Sequence, residues 1–428
     1  MLDVAETLEP LVKAWLPRDL PVGITFWDGS RLGPAEGDAT IVVKSPTALR
    51  RIIWSPNELG LGRAFVSGDI DLEGDVFAAL EIRKAVAAPD AMSLTLGPRD
   101  WVRAVSAARR LGVLGRPLAP PPSEARARGR LHTRRRDSQV ISHHYDVGND
   151  FYALFLGSTM TYSCAYFVDG FDETDLDSAQ EAKYDLICRK LGLEPGMRLL
   201  DIGCGWGGMV RYAARHYGVD AVGVTISQAQ ADYGLKRTAD EGLGTRVEIR
   251  VQDYRDVADG PFDAVSSIGM FEHVGMARLG DYFGRLHELL APTGRLLNHA
   301  ISRPWNDDRS RFDRHSFISN YVFPDGELQE VGAVVTAMQQ HGFEVRDVES
   351  LREHYAATLR RWVANLESSW DNAVELVGPA RARIWRLYMA ASALNFEDDH
   401  TQIHQVLGVR TAPSGDAAFP ATRRQWLE

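Results

Sequence analysis

Three short stretches carry residues whose types and spacing could do chemistry. The first is DIGCGWGG, Asp201 to Gly208, at the end of an apolar run. A glycine-rich loop that follows a strand and opens a helix lets backbone amides approach a nucleotide or nucleoside closely. The second is HHYDVGNDFYALFLGSTMTYSCAYF, His143 to Phe167, which holds seven Phe or Tyr rings, two adjacent histidines and one of only three cysteines. It is too irregular for a clean amphipathic helix and too interrupted for a strand. The third, SRPWNDDRSRFDRHSFISNYVFPDGEL, is a long polar and aromatic break where an α/β sheet places its ligand crevice.

The elements around these stretches set their positions. MRLLDIG is a short apolar run, followed by helical GGMVRYAARHY; DAVGVTI is followed by SQAQADYGLKRTADEG. RVEIRVQ and FDAVSSIGMF are further runs, and the helix MARLGDYFGRLHELL leads to GRLLNHAI. Strands alternating with helices of this length predict βαβ units and a parallel, doubly wound sheet. GFEVRDVES reads as a late strand and 352 to about 396 as long helices. Upstream, DVAETLEPLVKAWL has helical apolar spacing, and GITFWDG, ATIVVKS and RIIWS read as short strands.

The ligand of the glycine loop is narrowed by the next strand. Enzymes that bind NAD usually carry Asp or Glu at its end to hold the ribose. Here that strand ends in Val224 and Thr225, with no carboxylate. A loop of this form, followed by polar strand-end residues and QDY at 252–254, fits S-adenosylmethionine (SAM) better.

A chain of 428 residues predicts two or three domains. Its 45% hydrophobic and 25% charged residues are those of a soluble globular protein. No apolar run approaches the roughly 18 residues needed to span a bilayer, and MLDVAETLEP lacks a signal peptide's basic start. Cys164, Cys188 and Cys204 are odd in number and unpaired by spacing, which predicts reduced thiols in a cytoplasmic protein. A net charge of −10 argues against general polyanion binding, so no nucleic-acid partner is expected. Yet Arg99 to Arg136 hold eleven arginines against Asp100 and Glu124. That cluster is either a solvated linker or an attractor of anionic phospholipid head groups or nucleic acid. The expected organisation is a first domain at 1–115, a Pro/Arg-rich linker at 116–136, an α/β domain at 137–410 and a tail at 411–428.

Seven motifs, HHYDVGNDFY, TYSCAYF, LDIGCGWGG, TISQAQ, QDYRD, SIGMFEHVG and NYVFPDGEL, occur in order between His143 and Arg410. In them the chain resembles the cyclopropane-fatty-acyl-phospholipid synthase family. LLNHAI and the long N-terminal domain look more like its actinobacterial branch, which forms methylene-branched precursors of 10-methyl fatty acids. The resemblance implies a class I SAM-dependent methyltransferase, a Rossmann-like doubly wound α/β sheet. The smaller N-terminal α+β domain would be of a lipid-binding type, since AFVSGDIDLEGDVFAALEI resembles part of sterol-carrier-like domains.

Carried over by residue, the resemblance places Tyr162, Ser163, Gly203 and Gly205 at the methionine end of SAM. Thr225, Ile226 and Gln230 would meet the ribose region and Gln252 and Asp253 the adenine region, where some members have Gly-Trp. Tyr145, Gly207 and Ile268 complete the cofactor set. The family holds a bicarbonate ion as base, and the matching positions are Cys164, Glu272, His299 and Tyr321 with the backbone of Ile301. Taken alone, each has a plainer reading: a buried thiol, a helix-start carboxylate, a sheet-end histidine, a loop anchor. His143, His144, His273, Cys188 and Cys204 need no chemical role, and no metal-ligand spacing stands out.

An isolated cis double bond is a feeble nucleophile, so the driving force is the sulfonium leaving group. Attack on the methyl carbon leaves a carbocation on the acyl chain, which demands a water-free pocket and a base. A carboxylate such as Glu272 beside bicarbonate is repulsive unless one carries a proton. The expected partners are unsaturated phospholipid and an anionic lipid surface, met peripherally at the inner face of the cell membrane. A homodimer would supply a second membrane contact, although no sequence feature demands one.

Overall fold

The computed structural model describes residues 3–15, 20–83, 98–124, 147–305, 316–323 and 326–427. The chain divides into two compact units: residues 1–126, 313–322 and 377–391 form one, and 127–312, 323–376 and 392–428 the other.

The smaller unit is built on a four-stranded sheet in the order β2-β1-β3-β4. Its strands are β1 (Gly23–Phe26), β2 (Arg31–Leu32), β3 (Ala39–Val43) and β4 (Ile70–Gly74). Ile24 pairs in parallel with Ile41, which pairs antiparallel with Leu72. Helix Val4–Trp15 buries Val4 and Ala5 in a core with Phe26, Val43 and Ile70. RIIWS is not a strand. It ends the helix Pro46–Trp54, which Pro46 opens as the first helical residue, where its missing N–H costs nothing.

The first part of the expected linker is also fixed on this unit. Trp54 Nε1 donates to the Gly115 carbonyl at 2.9 Å, Arg51 to that of Ala119 at 3.1 Å, and Arg63 pairs with Glu124 at 2.7 Å. Residues 125–136 lie outside the described residues.

The larger unit holds a seven-stranded sheet in the order β10-β11-β9-β8-β5-β6-β7. These are β5 (Arg198–Ile202), β6 (Asp220–Thr225), β7 (Val247–Val251), β8 (Phe262–Ile268), β9 (Leu290–Ser302), β10 (Phe343–Ser350) and β11 (Gln402–Arg410). The first five are parallel to their sheet neighbours among themselves, as the alternation requires, but β11 runs antiparallel to both β9 and β10. The sheet is therefore mixed, not wholly parallel.

Successive residues of a strand point to opposite faces, and both faces here are covered. Leu200, Val222, Val265 and Leu296 join one buried cluster with Phe283, Leu286 and Met338. Their neighbours Leu199, Ala221, Ala264 and Leu297 join another with Ile187, Leu191, Val210 and Ala213. That second face is closed by helix Leu176–Leu191, which Asp175 caps by accepting from the Ser178 amide at 3.0 Å.

The last stretch is not a loose tail. Trp426 is buried in the second cluster with Phe419 against it, and Arg423 pairs with the buried Asp347 at 2.5 Å. No described helix is long and apolar enough to cross a membrane.

Candidate active site

Strand β5 ends in Asp201 and Ile202, and the chain turns through the glycine loop into helix Gly208–Tyr217. Gly203, Gly205 and Gly207 have φ of 72°, 54° and 77°, values that side chains other than glycine rarely adopt. At Gly208 a Cβ would come within 2.2 Å of the Tyr184 hydroxyl, so that helix can start there only without a side chain.

Beside this loop lies a cavity of about 550 Å³. Its wall includes Tyr162, Ser163, Gly203, Gly205, Thr225, Ile226, Gln230, Gln252, Asp253 and Ile268, the residues that sequence assigns to the cofactor. Among the described residues one of that set, Gly207, is absent from it. Gly207 caps the following helix, where a Cβ would meet Ile249 at 2.5 Å, and Tyr145 lies outside the described residues, as do His143 and His144.

Polar groups of the wall are held in place by one another. The Thr225 hydroxyl donates to Gln230 Oε1 at 2.9 Å, and Gln252 Nε2 donates to the Asp256 carbonyl at 2.9 Å. Asp253 is paired with Arg255 at 2.6 Å. The wall also contains groups that sequence reasoning missed, above all Lys183, with Met160, Tyr184, Trp206, Met270 and His273.

Most rings of the aromatic stretch are interior packing. Phe151, Tyr152 and Phe155 on helix Asn149–Leu156 are fully buried. Tyr152 packs 4.9 Å from Trp206, centroid to centroid, and Phe155 packs on Trp362. The cavity is reached by the segment after this helix, Met160 to Ser163, with Tyr162 stacked on Trp362 at 5.3 Å and 26°. From Asn149 to Phe167 the stretch is thus a packed aromatic block that presents a short polar edge to the cavity.

Of the proposed bicarbonate ligands, a hydrogen bond joins Glu272 to the backbone of Ile301. Glu272 follows β8 in the short 3-10 helix Phe271–His273, between the cavity residues Met270 and His273. Its Oε1 accepts from the Ile301 amide at 2.6 Å, so that backbone donor is already used. Glu272 Oε2 has no hydrogen-bond partner among the described residues. Burial pushes this carboxyl up to about 7. His299 is fully buried on β9, and burial, then the nearby lysines, hold it well below its ordinary value. Gln405 Nε2 lies 3.1 Å from His299 Nδ1, and His299 Nε2 has no partner among the described residues.

Cys164 is fully buried, does not line the cavity, and donates to the carbonyls of Ala165 and Leu351 at 3.2 and 3.6 Å. Burial raises its thiol far above the ordinary value, so it is a neutral donor and not a nucleophile. Tyr321 belongs to the smaller unit, where its hydroxyl donates to Glu124 at 3.2 Å. All three cysteines are free and buried.

Residues 132–406 match the family described as mycolic acid cyclopropane synthetase. The chain belongs to this family. A relative in Mycobacterium tuberculosis (strain ATCC 25618 / H37Rv), named "Probable fatty acid methyltransferase", is 45% identical over 95% of each chain. In the same organism a tuberculostearic acid methyltransferase is 33% identical over 92% of this chain and 89% of its own. The cyclopropane-fatty-acyl-phospholipid synthase of Escherichia coli (strain K12) is 34% identical over 88% of this chain and 89% of its own. The crystal structure of mycolic acid cyclopropane synthase CmaA1 with SAH and CTAB superposes with a TM-score of 0.60 and 34% identity. That match covers 64% of this chain and 98% of the other.

This member of the cyclopropane synthetase family is a SAM-dependent methyltransferase with the class I fold. Its cavity suits the cofactor on its own terms. The positive-φ glycines bring backbone close to a ligand, and buried Lys183 and Asp201 offer one charge of each sign to a zwitterion. The fit to bicarbonate is narrower. Glu272 Oε2 and His299 Nε2 are buried atoms without a partner among the described residues, whereas the Cys164 thiol, the Ile301 amide and the Tyr321 hydroxyl each have one.

Proposed function

We propose that this enzyme transfers the methyl carbon of SAM to the cis double bond of an unsaturated acyl chain in a membrane phospholipid. The product is a methylene-branched or cyclopropane acyl chain. SAM supplies a methyl group made electrophilic by the adjoining sulfonium. The alkene's π electrons form the new C–C bond, the C–S electrons stay on sulfur, and the positive charge moves to the acyl chain. Loss of a proton from the new methyl closes a cyclopropane. A hydride shift before that loss gives an exocyclic methylene instead.

A bicarbonate ion, held at Glu272 and His299, would accept that proton. The observation that carries this reading is that two buried atoms, Glu272 Oε2 and His299 Nε2, have no hydrogen-bond partner among the described residues, within a family of fatty-acyl methyltransferases. A carboxyl pushed up to about 7 holds a proton near neutrality, which removes the repulsion between Glu272 and an anion. Buried neutral His299 can donate from Nε2. The aromatic block around Tyr152, Tyr162 and Trp362 keeps water out, and ring faces stabilise a cation without being consumed by it.

Access to lipid is supported by the smaller unit. Helix Pro98–Arg110 exposes Val102 (70%) and Val105 (50%) beside Arg103, Arg109 and Arg110. An exposed apolar stripe flanked by arginines suits an anionic bilayer surface. The reading is tested by SAH release in the presence of vesicles. Unsaturated phospholipid should stimulate it and saturated phospholipid should not. Equal turnover without vesicles on a small soluble acceptor would contradict it.

A further inference from the structure

Helix Leu176–Leu191 buries two lysines, and they are treated very differently. Lys190 is paired with Asp347 at 3.3 Å and with Glu349. Lys183 is fully buried, and its Nζ donates to Ser163 Oγ at 3.0 Å and lies 4.3 Å from the Tyr184 ring centroid. Among the described residues Ser163 is its one hydrogen-bond acceptor, and no carboxylate pairs with it. An ammonium has three protons to donate, and a buried charge without a partner is costly.

The same cavity wall contains a complementary group. Asp201 is 2% exposed and accepts from Ser266 Oγ at 2.7 Å. Among the described residues no ion pair joins it to Lys183, so a buried cation and a buried anion line one cavity and act on each other only through space. Burial displaces both groups toward their neutral forms, Lys183 down to about 7 and Asp201 up to about 6. A purely structural lysine would be completed by the protein, as Lys190 is. The amino-acid end of SAM carries one ammonium and one carboxylate, which is the complement of the two charges in this wall.

We propose that Lys183 is the anchor of the methionine carboxylate of SAM, acting through its own ammonium and through Ser163, whose hydroxyl it holds. The inference rests on SAM occupying this cavity. It makes Lys183 a determinant of cofactor recognition and not of the carbon-transfer step.

Titration calorimetry of the full chain with SAH, and with the analogue that lacks only the carboxylate, S-adenosyl-3-thiopropylamine, tests it. Wild type should bind SAH about ten-fold or more tighter than the analogue, as expected of a buried charged hydrogen bond. Lys183→Gln, which keeps a donor for Ser163 but no charge, should lose that preference by weakening SAH alone. Lys183→Arg should retain most of it. Equal affinity of wild type for both compounds overturns the proposal, without needing any variant to fold. So does equal weakening of both compounds by Lys183→Gln. No binding of SAH by wild type would instead overturn the assignment of the cavity to SAM.

Discussion

Gln405 and His299 face each other across the antiparallel β9–β11 ladder, the glutamine Nε2 3.1 Å from the histidine Nδ1. An amide donating to Nδ1 makes that nitrogen the acceptor, so the neutral ring carries its proton on Nε2. That is the nitrogen left without a partner among the described residues. A side chain on the last-built strand of the sheet thus sets the polarity of a group proposed to hold the base.

Gln405→Leu should lower kcat by roughly ten- to a hundred-fold, the usual effect of removing the partner that orients a reactive imidazole, and leave SAH affinity unchanged. Gln405→Glu should invert the tautomer, because a carboxylate accepts from Nδ1–H. Nitrogen-15 shifts of histidine-labelled protein report which nitrogen is protonated. An unchanged tautomer in both variants would remove Gln405 from the account.

Glu272 should impose a pH dependence on stability. Its folded value of about 7 lies above the ordinary 4.5, so between those limits the folded state binds more protons than the unfolded. Stability then falls as pH rises through that window and levels off above it. Glu272→Gln keeps an acceptor for the Ile301 amide and removes the charge. Relative to wild type the variant should gain stability from about pH 5 to 7, by at most ~3 kcal/mol. Parallel denaturation curves across that range would show that Glu272 is not the group responsible.

Trp426 tests whether the C-terminal stretch is part of the core. It is 6% exposed and packs with Phe419 on the cluster that contains Leu297 and Leu407. Trp426→Ala should cost about 3 kcal/mol in chemical denaturation, as expected for truncating a buried Trp. Affinity for SAH should not change, because neither residue lines the cavity. A loss below 1 kcal/mol would mean that the stretch is held loosely.

The lipid surface can be probed on helix Pro98–Arg110. Charge reversal at Arg103 and Arg110 together should weaken co-sedimentation with anionic vesicles by about ten-fold or more, since each arginine near such a surface contributes ~1 kcal/mol. Salt should weaken wild-type binding in the same way. Binding that ignores both salt and anionic lipid content would contradict electrostatic docking.

What could be read from sequence followed the physics of each element. Strands β5, β6, β8 and β9 are largely buried on both faces, so they appear as short apolar runs between turns, and the glycine loop ties its neighbours to the cavity. RIIWS misleads because Ile52 and Ile53 are β-branched; the Ser45-Pro46 start was the better signal, marking a helix. QIHQVLGVR hides β11 because polar Gln402, His404 and Gln405 interrupt the pattern, although Gln405 is fully buried. Lys183 was missed because a lysine in AQEAKYDLICRKL reads as solvent-facing. Its spacing from Leu176, Ala179 and Ile187 puts it on the buried stripe instead. The motif residues Cys164 and Tyr321 were legible as positions but not as contacts, which depend on neighbours as distant in sequence as Leu351 and Glu124.

The central claim is carbon transfer to an acyl double bond, and the fate of a labelled methyl tests it most directly. The enzyme would be incubated with SAM carrying carbon-13 in its methyl group and vesicles of a monounsaturated phospholipid. NMR and mass spectrometry of the recovered lipid should find one added CH2 per modified chain, with the label in a cyclopropane ring or an exocyclic methylene. An unlabelled acyl chain, with the carbon-13 in a head group or a soluble acceptor, would contradict the account.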